Sequence, residues 1–271
     1  MMPMAESLVV LGTGNAMVTH CFNTCFALQF GQEYFLVDSG GGNGILRALE
    51  DADISPCNIH HIFITHAHTD HILGVPWLVR SIGTQILSGR YDGTLTIYCH
   101  GISEHAIRTI CELTIQKKFT KLFDDRIRFV TLIDGDTAQI FASSVRFFDI
   151  RSTKAKQFGM EVALSNGRRL VCLGDEPCDE ECKQVAVNAD WLLCEAFCLY
   201  EDRDRFKPYE KHHSTAKDAA ELAERLGVKN LVLWHTEDKT LETRQTAYTA
   251  EAKAYFSGNV FVPNDLDKII L

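Results

Sequence analysis

Short apolar runs separated by glycine-rich or polar turns, with a few longer stretches of helical period between them, make up most of the chain. Residues 8–11 form the first run, which ends in Gly12-Thr13-Gly14-Asn15. Cys25–Phe30 and residues 34–37 flank Gly31-Gln32 and predict a hairpin. Residues 61–65 and Leu95–Cys99 read as buried strands. Further strands are predicted at residues 127–133, 139–142, 144–150, 160–165, 169–173, 191–197 and 230–234, with Asn166-Gly167 as a hairpin turn. Helical period marks residues 45–50, 75–81 and 217–226, a stretch capped by Ser103 that runs towards Gln116, and roughly residues 242–256. Ser214 or Thr215 caps the 217–226 helix and Gly227 closes it. Alternation of this kind predicts an α/β fold, and without a composition break to mark a linker, residues 1–271 read as a single domain.

Directly after the strand at 61–65 comes His66-Ala67-His68-Thr69-Asp70-His71, in which four of six residues are potential ligands. In an extended segment His66 and His68 project to one side, while Asp70 and His71 come round as the chain turns. One cation can sit between the first pair and a second between the last. Neutral imidazole and carboxylate suit zinc, iron or manganese. Other strand ends add carboxylates. Asp38, closing the run at 34–37, is placed to orient a ligating histidine from behind, although it also suits the turn into the helix at 45–50. Asp175, beside Gly174, can bridge two metals with its two oxygens. Glu195 lies in the apolar run at 191–197, and a buried carboxylate needs a partner. His213 is a candidate for that partner; a histidine so held would have a raised pKa and could serve as a general acid. His235 closes the strand at 230–234. His100 and His105, away from any cluster, read as surface or helix-start histidines.

Composition narrows the class. A formal charge of −9 argues against a broad nucleic-acid footprint, which needs clustered Lys and Arg. Met1-Met2-Pro3-Met4-Ala5-Glu6 lacks a basic start and the run at 8–11 is too short to span a membrane, so the expectation is a cytoplasmic protein without a membrane partner. Ten cysteines include the Cys-x3-Cys pairs 21/25, 178/182 and 194/198, but none has zinc-ribbon spacing; buried thiols in a reducing compartment are expected.

Gly12-Thr13-Gly14 with Asn23-Thr24, Val37-Asp38-Ser39-Gly40, the loop at 66–71, Gly174-Asp175, Glu195-Ala196, His213-Ser214-Thr215-Ala216 and His235 occur in an order that resembles the metallo-β-lactamase superfamily, and within it the ribonuclease Z branch. The resemblance implies a four-layer αβ/βα sandwich. It implies His66 and His68 on one metal, Asp70, His71 and His235 on a second, and Asp175 bridging them. It also suggests a homodimer. Two departures stand out. The family carries a further histidine on the first metal, whereas no histidine lies between His105 and His212; Asp149, at the end of the corresponding strand, is the proposed substitute, its alternative being an ordinary strand-end turn residue. Enzymes of this branch that process tRNA commonly carry a long gripping arm after that motif, and the 25 residues between Asp149 and Asp175 leave room only for a loop and a hairpin.

The expected function is that of a dinuclear metal-dependent phosphodiesterase acting on RNA 3′ ends, as an endonuclease, or on a smaller phosphodiester. Zinc is the first choice of metal, with manganese or iron as alternatives. A water acidified by the cations attacks phosphorus, Asp70 takes its proton, and His213 with Glu195 protonates the leaving oxygen. Lys154 and Lys156 bind a flanking phosphate. The alternative readings are a hydrolase of a thioester, ester or lactam, and a non-hydrolytic metal-binding or di-iron redox protein.

Overall fold

The structure is a computed structural model and describes residues 6–177 and 180–271. The start of the chain at residues 1–5 and Cys178 of the 178/182 pair, both read above, lie outside the described residues. Its strands are, in chain order, β1 (Ser7–Gly12), β2 (Cys25–Phe30), β3 (Glu33–Val37), β4 (Ile59–Ile64), β5 (Leu95–Cys99), β6 (Ile127–Thr131) and β7 (Thr137–Ile140). There follow β8 (Ser143–Asp149), β9 (Phe158–Ala163), β10 (Arg169–Cys172), β11 (Trp191–Glu195), β12 (Asn230–Trp234), β13 (Asn259–Phe261) and β14 (Lys268–Ile270). The chain divides into two compact units. Among the described residues, one comprises those up to Gly12 with Phe22–Leu132 and Asp265–Leu271, the other Thr13–Cys21 with those of Ile133–Asn264.

The first unit is a mixed sheet in the order β14-β1-β2-β3-β4-β5-β6. β2 and β3 form the expected hairpin, with Gly31 at φ +68° supplying the left-handed turn residue. From β3 onward the pairs are parallel, each crossover being made by a helix: Gly44–Asp51, then Val75–Leu87, then Gly101–Thr114. Alternate strand residues such as Leu36, Ile62, Ile64 and Ile97 are buried against Leu49, Leu78, Ile82 and Ile107 of those helices. Parallel strands end at the same edge. β3 and β4 therefore deliver Asp38 and Thr65-His66 side by side, and Asp38 N–H continues the ladder to Phe63 C=O at 2.8 Å.

The second unit is also a mixed sheet, in the order β13-β12-β11-β10-β9-β8-β7. β7 to β10 form an antiparallel meander, and β10 to β13 are parallel. Val171, Leu192, Leu231 and Leu233 pack with Ala216, Ala219, Ala220 and Ala223 of the helix Ala216–Arg225 and with Tyr248 of Leu241–Lys253. Thr215 caps the former helix in a reciprocal box with Asp218, and Gly227 ends it at φ +66°. The parallel strands β10, β11 and β12 again share an edge, and beyond it or at it stand Asp175, Glu195 and His235.

The helix expected at 75–81 continues to Leu87, passing through Gly83, where any Cβ would lie 2.8 Å from the Phe119 ring. Glycine there is a packing requirement. Ser103 is not a cap: the helix begins at Gly101 with His100 in the cap position, and the Ser103 hydroxyl lies 3.0 Å from His100 Nε2 inside the first turn. Of the two readings for His100, the structure has the helix-start one, and the residue is buried rather than on the surface.

Candidate metal centre

In the first unit the donors are set by a chain of proton assignments. Asp38 accepts from Thr65 N–H at 2.9 Å and from the Thr65 hydroxyl at 2.8 Å. With its only proton committed to Asp38, Thr65 Oγ1 must accept from His66 Nδ1, 2.9 Å away. His66 Nε2 is thereby left as a lone-pair donor, and it lies 2.7 Å from His68 Nδ1. Asp38 Oδ2 also holds His71 Nδ1 at 2.7 Å, which fixes His71 in the same tautomer and leaves its Nε2 3.3 Å from Asp70 Oδ2. His66, Asp70 and His71 are buried. Asp38 adopts φ +58°, a left-handed conformation costing a non-glycine residue about 1 kcal/mol, and its three accepted bonds hold it there. It does not cap the helix Gly44–Asp51, where Asn43 has that place. Below the loop, the backbone N–H and hydroxyl of Ser39 both reach His71 C=O, at 2.9 and 2.7 Å.

In the second unit His235 Nε2 lies 3.3 Å from Asp175 Oδ2, both residues being buried. His235 has φ +56°, and the residue after it is clamped. Thr236 N–H donates to Thr13 C=O at 3.0 Å, Asn15 donates from backbone and side chain to Thr236 C=O at 3.0 and 3.1 Å, and the buried Arg244 guanidinium donates to Thr236 Oγ1 at 2.8 Å. Gln157, fully buried, donates its amide N–H to Asp175 Oδ1.

The Glu195/His213 pair differs from the sequence expectation. His213 Nδ1 donates to the backbone C=O of Asp175 at 2.8 Å, while Glu195 Oε2 is 3.7 Å away; Glu195 Oε1 accepts instead from Ser214 N–H at 2.6 Å. Burial, aided by neighbouring His235, pushes the His213 pKa down to about 3, against the opposing pull of Asp175. The expected raised pKa is therefore corrected: a histidine buried beneath the stacked Phe197 ring, 5.0 Å away, loses more solvation than a distant carboxylate returns. Burial likewise raises Glu195 to about 8 despite the Ser214 hydrogen bonds.

Asp149 and the two lysines are arranged differently from the sequence reading as well. Lys156 Nζ sits on Asp149 Oδ2 at 2.6 Å, and Arg151 N–H donates to Asp149 Oδ1 at 2.9 Å. Both oxygens thus have a donor, which weighs against a ligand role for Asp149 and a phosphate role for Lys156. Lys154 is partly exposed, 4.0 Å from the buried Glu176, whose pKa burial raises. Gln157 and Arg244 escaped the sequence reading, which takes Thr236 only as the residue delivered with His235 to a strand end. An amide and a hydroxyl carry no ligand signature, and Gln157 comes to Asp175 only through strand register.

These donors suit divalent metal ions. The first unit contributes His66 Nε2 2.7 Å from Nδ1 of the half-buried His68 and His71 Nε2 3.3 Å from Asp70 Oδ2, the second His235 Nε2 3.3 Å from Asp175 Oδ2, with the opposite imidazole nitrogen already engaged in His66 and His71. Such a set is the N/O chemistry that zinc, iron and manganese take.

The chain matches the family described as Anti-Pycsar protein Apyc1 over residues 6–255. It is 30% identical over 272 aligned residues to the ribonuclease Z of Methanothermobacter thermautotrophicus, covering 83% of this chain and 84% of that one. The metallo-β-lactamase fold protein YhfI from Bacillus subtilis superposes with a TM-score of 0.79 at 19% identity, over 98% of this chain and 99% of that chain. Human tRNase Z, short form, gives 0.74 at 24% identity, over 98% and 99%. At these identities the structural likenesses establish the fold, which is the α/β class expected from the sequence.

Proposed function

We propose, from the premise that this chain belongs to the anti-Pycsar protein Apyc1 family and is a ribonuclease Z-like member of the metallo-β-lactamase superfamily, that its substrate is a small phosphodiester rather than a tRNA precursor. The chain is a metal-dependent phosphodiesterase, and the non-hydrolytic alternative is set aside. One observation carries the choice of substrate. Between Asp149 and Asp175 the chain makes a loop and the β9–β10 hairpin, whose register runs from Arg169↔Ala163 to Cys172↔Met160, so the interval is taken up by that loop, two short strands and their turn. The net charge of −9 supports the same reading.

The proposed ligand set follows the resemblance and the donor chemistry above. By that resemblance His66 and His68 would hold one cation, Asp70, His71 and His235 the other, and Asp175 both, with residues 1–271 taken as one hydrolase domain. Such cations supply charge neutralisation for phosphate oxygens and lower the pKa of an attacking water. Asp38 and Thr65 keep His66 and His71 in the tautomer that presents Nε2. Asp70 takes the water proton. His213, with its Nδ1–H on Asp175 C=O, has Nε2 as the atom that would pass a proton to the leaving oxygen; the negative charge of a bound phosphodiester favours its protonation. Glu195 fixes the Ser214 backbone and so the turn that carries His213. The reading further takes zinc as the metal, a homodimer as the assembly and the cytoplasm as the compartment. Free thiols at Cys25, Cys57, Cys99, Cys111 and Cys198 support the last of these, and no helix among the described residues is long and apolar enough to cross a membrane.

His213→Ala tests the proton donor: kcat on a poor leaving group should drop about 10²-fold or more, with metal content unchanged. Loss of metal in this variant would contradict the role. Substrate choice is tested by comparing kcat/KM for bis-p-nitrophenyl phosphate with that for a 3′-extended tRNA; efficient, specific cleavage of the tRNA would overturn the small-substrate reading.

A further inference from the structure

We propose that Gln157 is a positioning residue for Asp175, a neutral clamp that fixes the carboxylate plane of the residue assigned to both cations. Its amide engages one residue at two points. Nε2 donates to Asp175 Oδ1, and Oε1 accepts from Asp175 N–H at 3.3 Å. Gln157 is 0% exposed, so an amide in that place is costly unless both ends are satisfied, and Asp175 takes part in satisfying both.

The backbone is shaped for this contact. Continuing the β9–β10 register beyond Cys172↔Met160 brings residue 157 opposite residue 175, and Gln157 C=O accepts from Ile150 N–H at 3.1 Å, which ties the base of the side chain to the end of β8. The residue before Asp175 is Gly174 at φ +83°, where a Cβ would stand 2.5 Å from Gln157 Oε1. Glycine leaves the volume that the amide fills.

The choice of an amide has an electrostatic consequence. With Oδ1 held, rotation about the terminal torsion of Asp175 is stopped and Oδ2 is directed to His235 Nε2 at 3.3 Å. A lysine or arginine could hold Oδ1 as firmly, but its charge would compete with a cation for the carboxylate. An uncharged donor orients the ligand and leaves its negative charge available.

The inference rests on the reading of Asp175 as a metal ligand, and Asp175→Asn isolates that premise. Zinc and manganese binding to metal-free protein is measured by competition with a chromogenic chelator, alongside metal-free melting curves and steady-state kinetics on bis-p-nitrophenyl phosphate. Gln157→Met keeps the length and removes the polar ends; it should weaken metal binding about 10- to 100-fold and lower kcat to a similar extent at saturating metal, with KM within about twofold. Gln157→Glu keeps the shape and turns the donor into an acceptor, and should weaken binding at least as much. If Gln157→Met does not fold, the glutamate variant carries the test. Wild-type metal affinity and kcat in Gln157→Met, with only the melting temperature lowered, would reduce Gln157 to packing and overturn the proposal. Tighter binding in Gln157→Glu would make position 157 a ligand and overturn it too. Undiminished metal binding in Asp175→Asn would refute the premise instead.

Discussion

Asp38 accepts three hydrogen bonds, and two of them decide where a proton sits. That from the Thr65 hydroxyl commits its proton and thereby turns His66; that from His71 turns the second imidazole directly; the third, from Thr65 N–H, anchors the carboxylate. The ligand types were legible in the sequence because four donors in six residues after an apolar strand form a local signal. The residues that orient them were less so. Asp38 lies 27 positions from Thr65 and meets it through the parallel register of β3 and β4, and Gln157 meets Asp175 across 18 positions in an antiparallel one. The Lys156/Asp149 ion pair is local but was masked by a different expectation. Asp149→Asn should leave the metal content of the purified protein unchanged while freeing Lys156; loss of one metal per chain would restore Asp149 as a ligand.

Burial rather than pairing governs the other two titratable groups. Glu195, raised from 4.5 to about 8, keeps its proton in the folded chain at pH values where the unfolded chain has released it. Between those values the unfolded state is favoured progressively as pH rises. His213, lowered from 6.5 to about 3, acts in the other window: the stability it contributes is complete above 6.5 and is lost as pH falls towards 3. In Glu195→Gln the melting temperature of metal-free protein should therefore decline less from pH 4.5 to pH 8 than in the wild type. An identical slope would show that Glu195 does not titrate in that range.

At the scale of elements, period and punctuation placed β2, β5 and β12 at their observed bounds and most other strands within a few residues, since alternating or continuous apolar runs bounded by glycine leave little choice. Among the described residues two strands went unread, as did short helices such as Lys117–Thr120 and Arg203–Phe206. β13 and β14 have three residues each, too few to show a period, and they exist because β12 and β1 offer them an edge. The helix Ala216–Arg225 starts two residues after Ser214, so its cap also sets the turn bearing His213. Thr215→Ala removes one half of the box with Asp218 and should cost about 1 kcal/mol in chemical denaturation. A change under a few tenths would mean that Cys198, whose C=O accepts from Ala216 N–H at 3.0 Å, suffices to start the helix.

For the whole molecule, the sequence carried the fold class and the superfamily through motifs spread in order from residue 12 to residue 235, while the substrate could be read only from an interval too short for an arm. The structure fills that interval with a loop and the β9–β10 hairpin. The central claim is metal-dependent phosphodiester hydrolysis, and its most direct test is metal analysis of the purified chain paired with bis-p-nitrophenyl phosphate turnover after reconstitution with zinc, manganese or iron. The account predicts two metals per chain and diesterase activity that chelation abolishes and metal restores. One metal or none, with no turnover whichever metal is supplied, would contradict it.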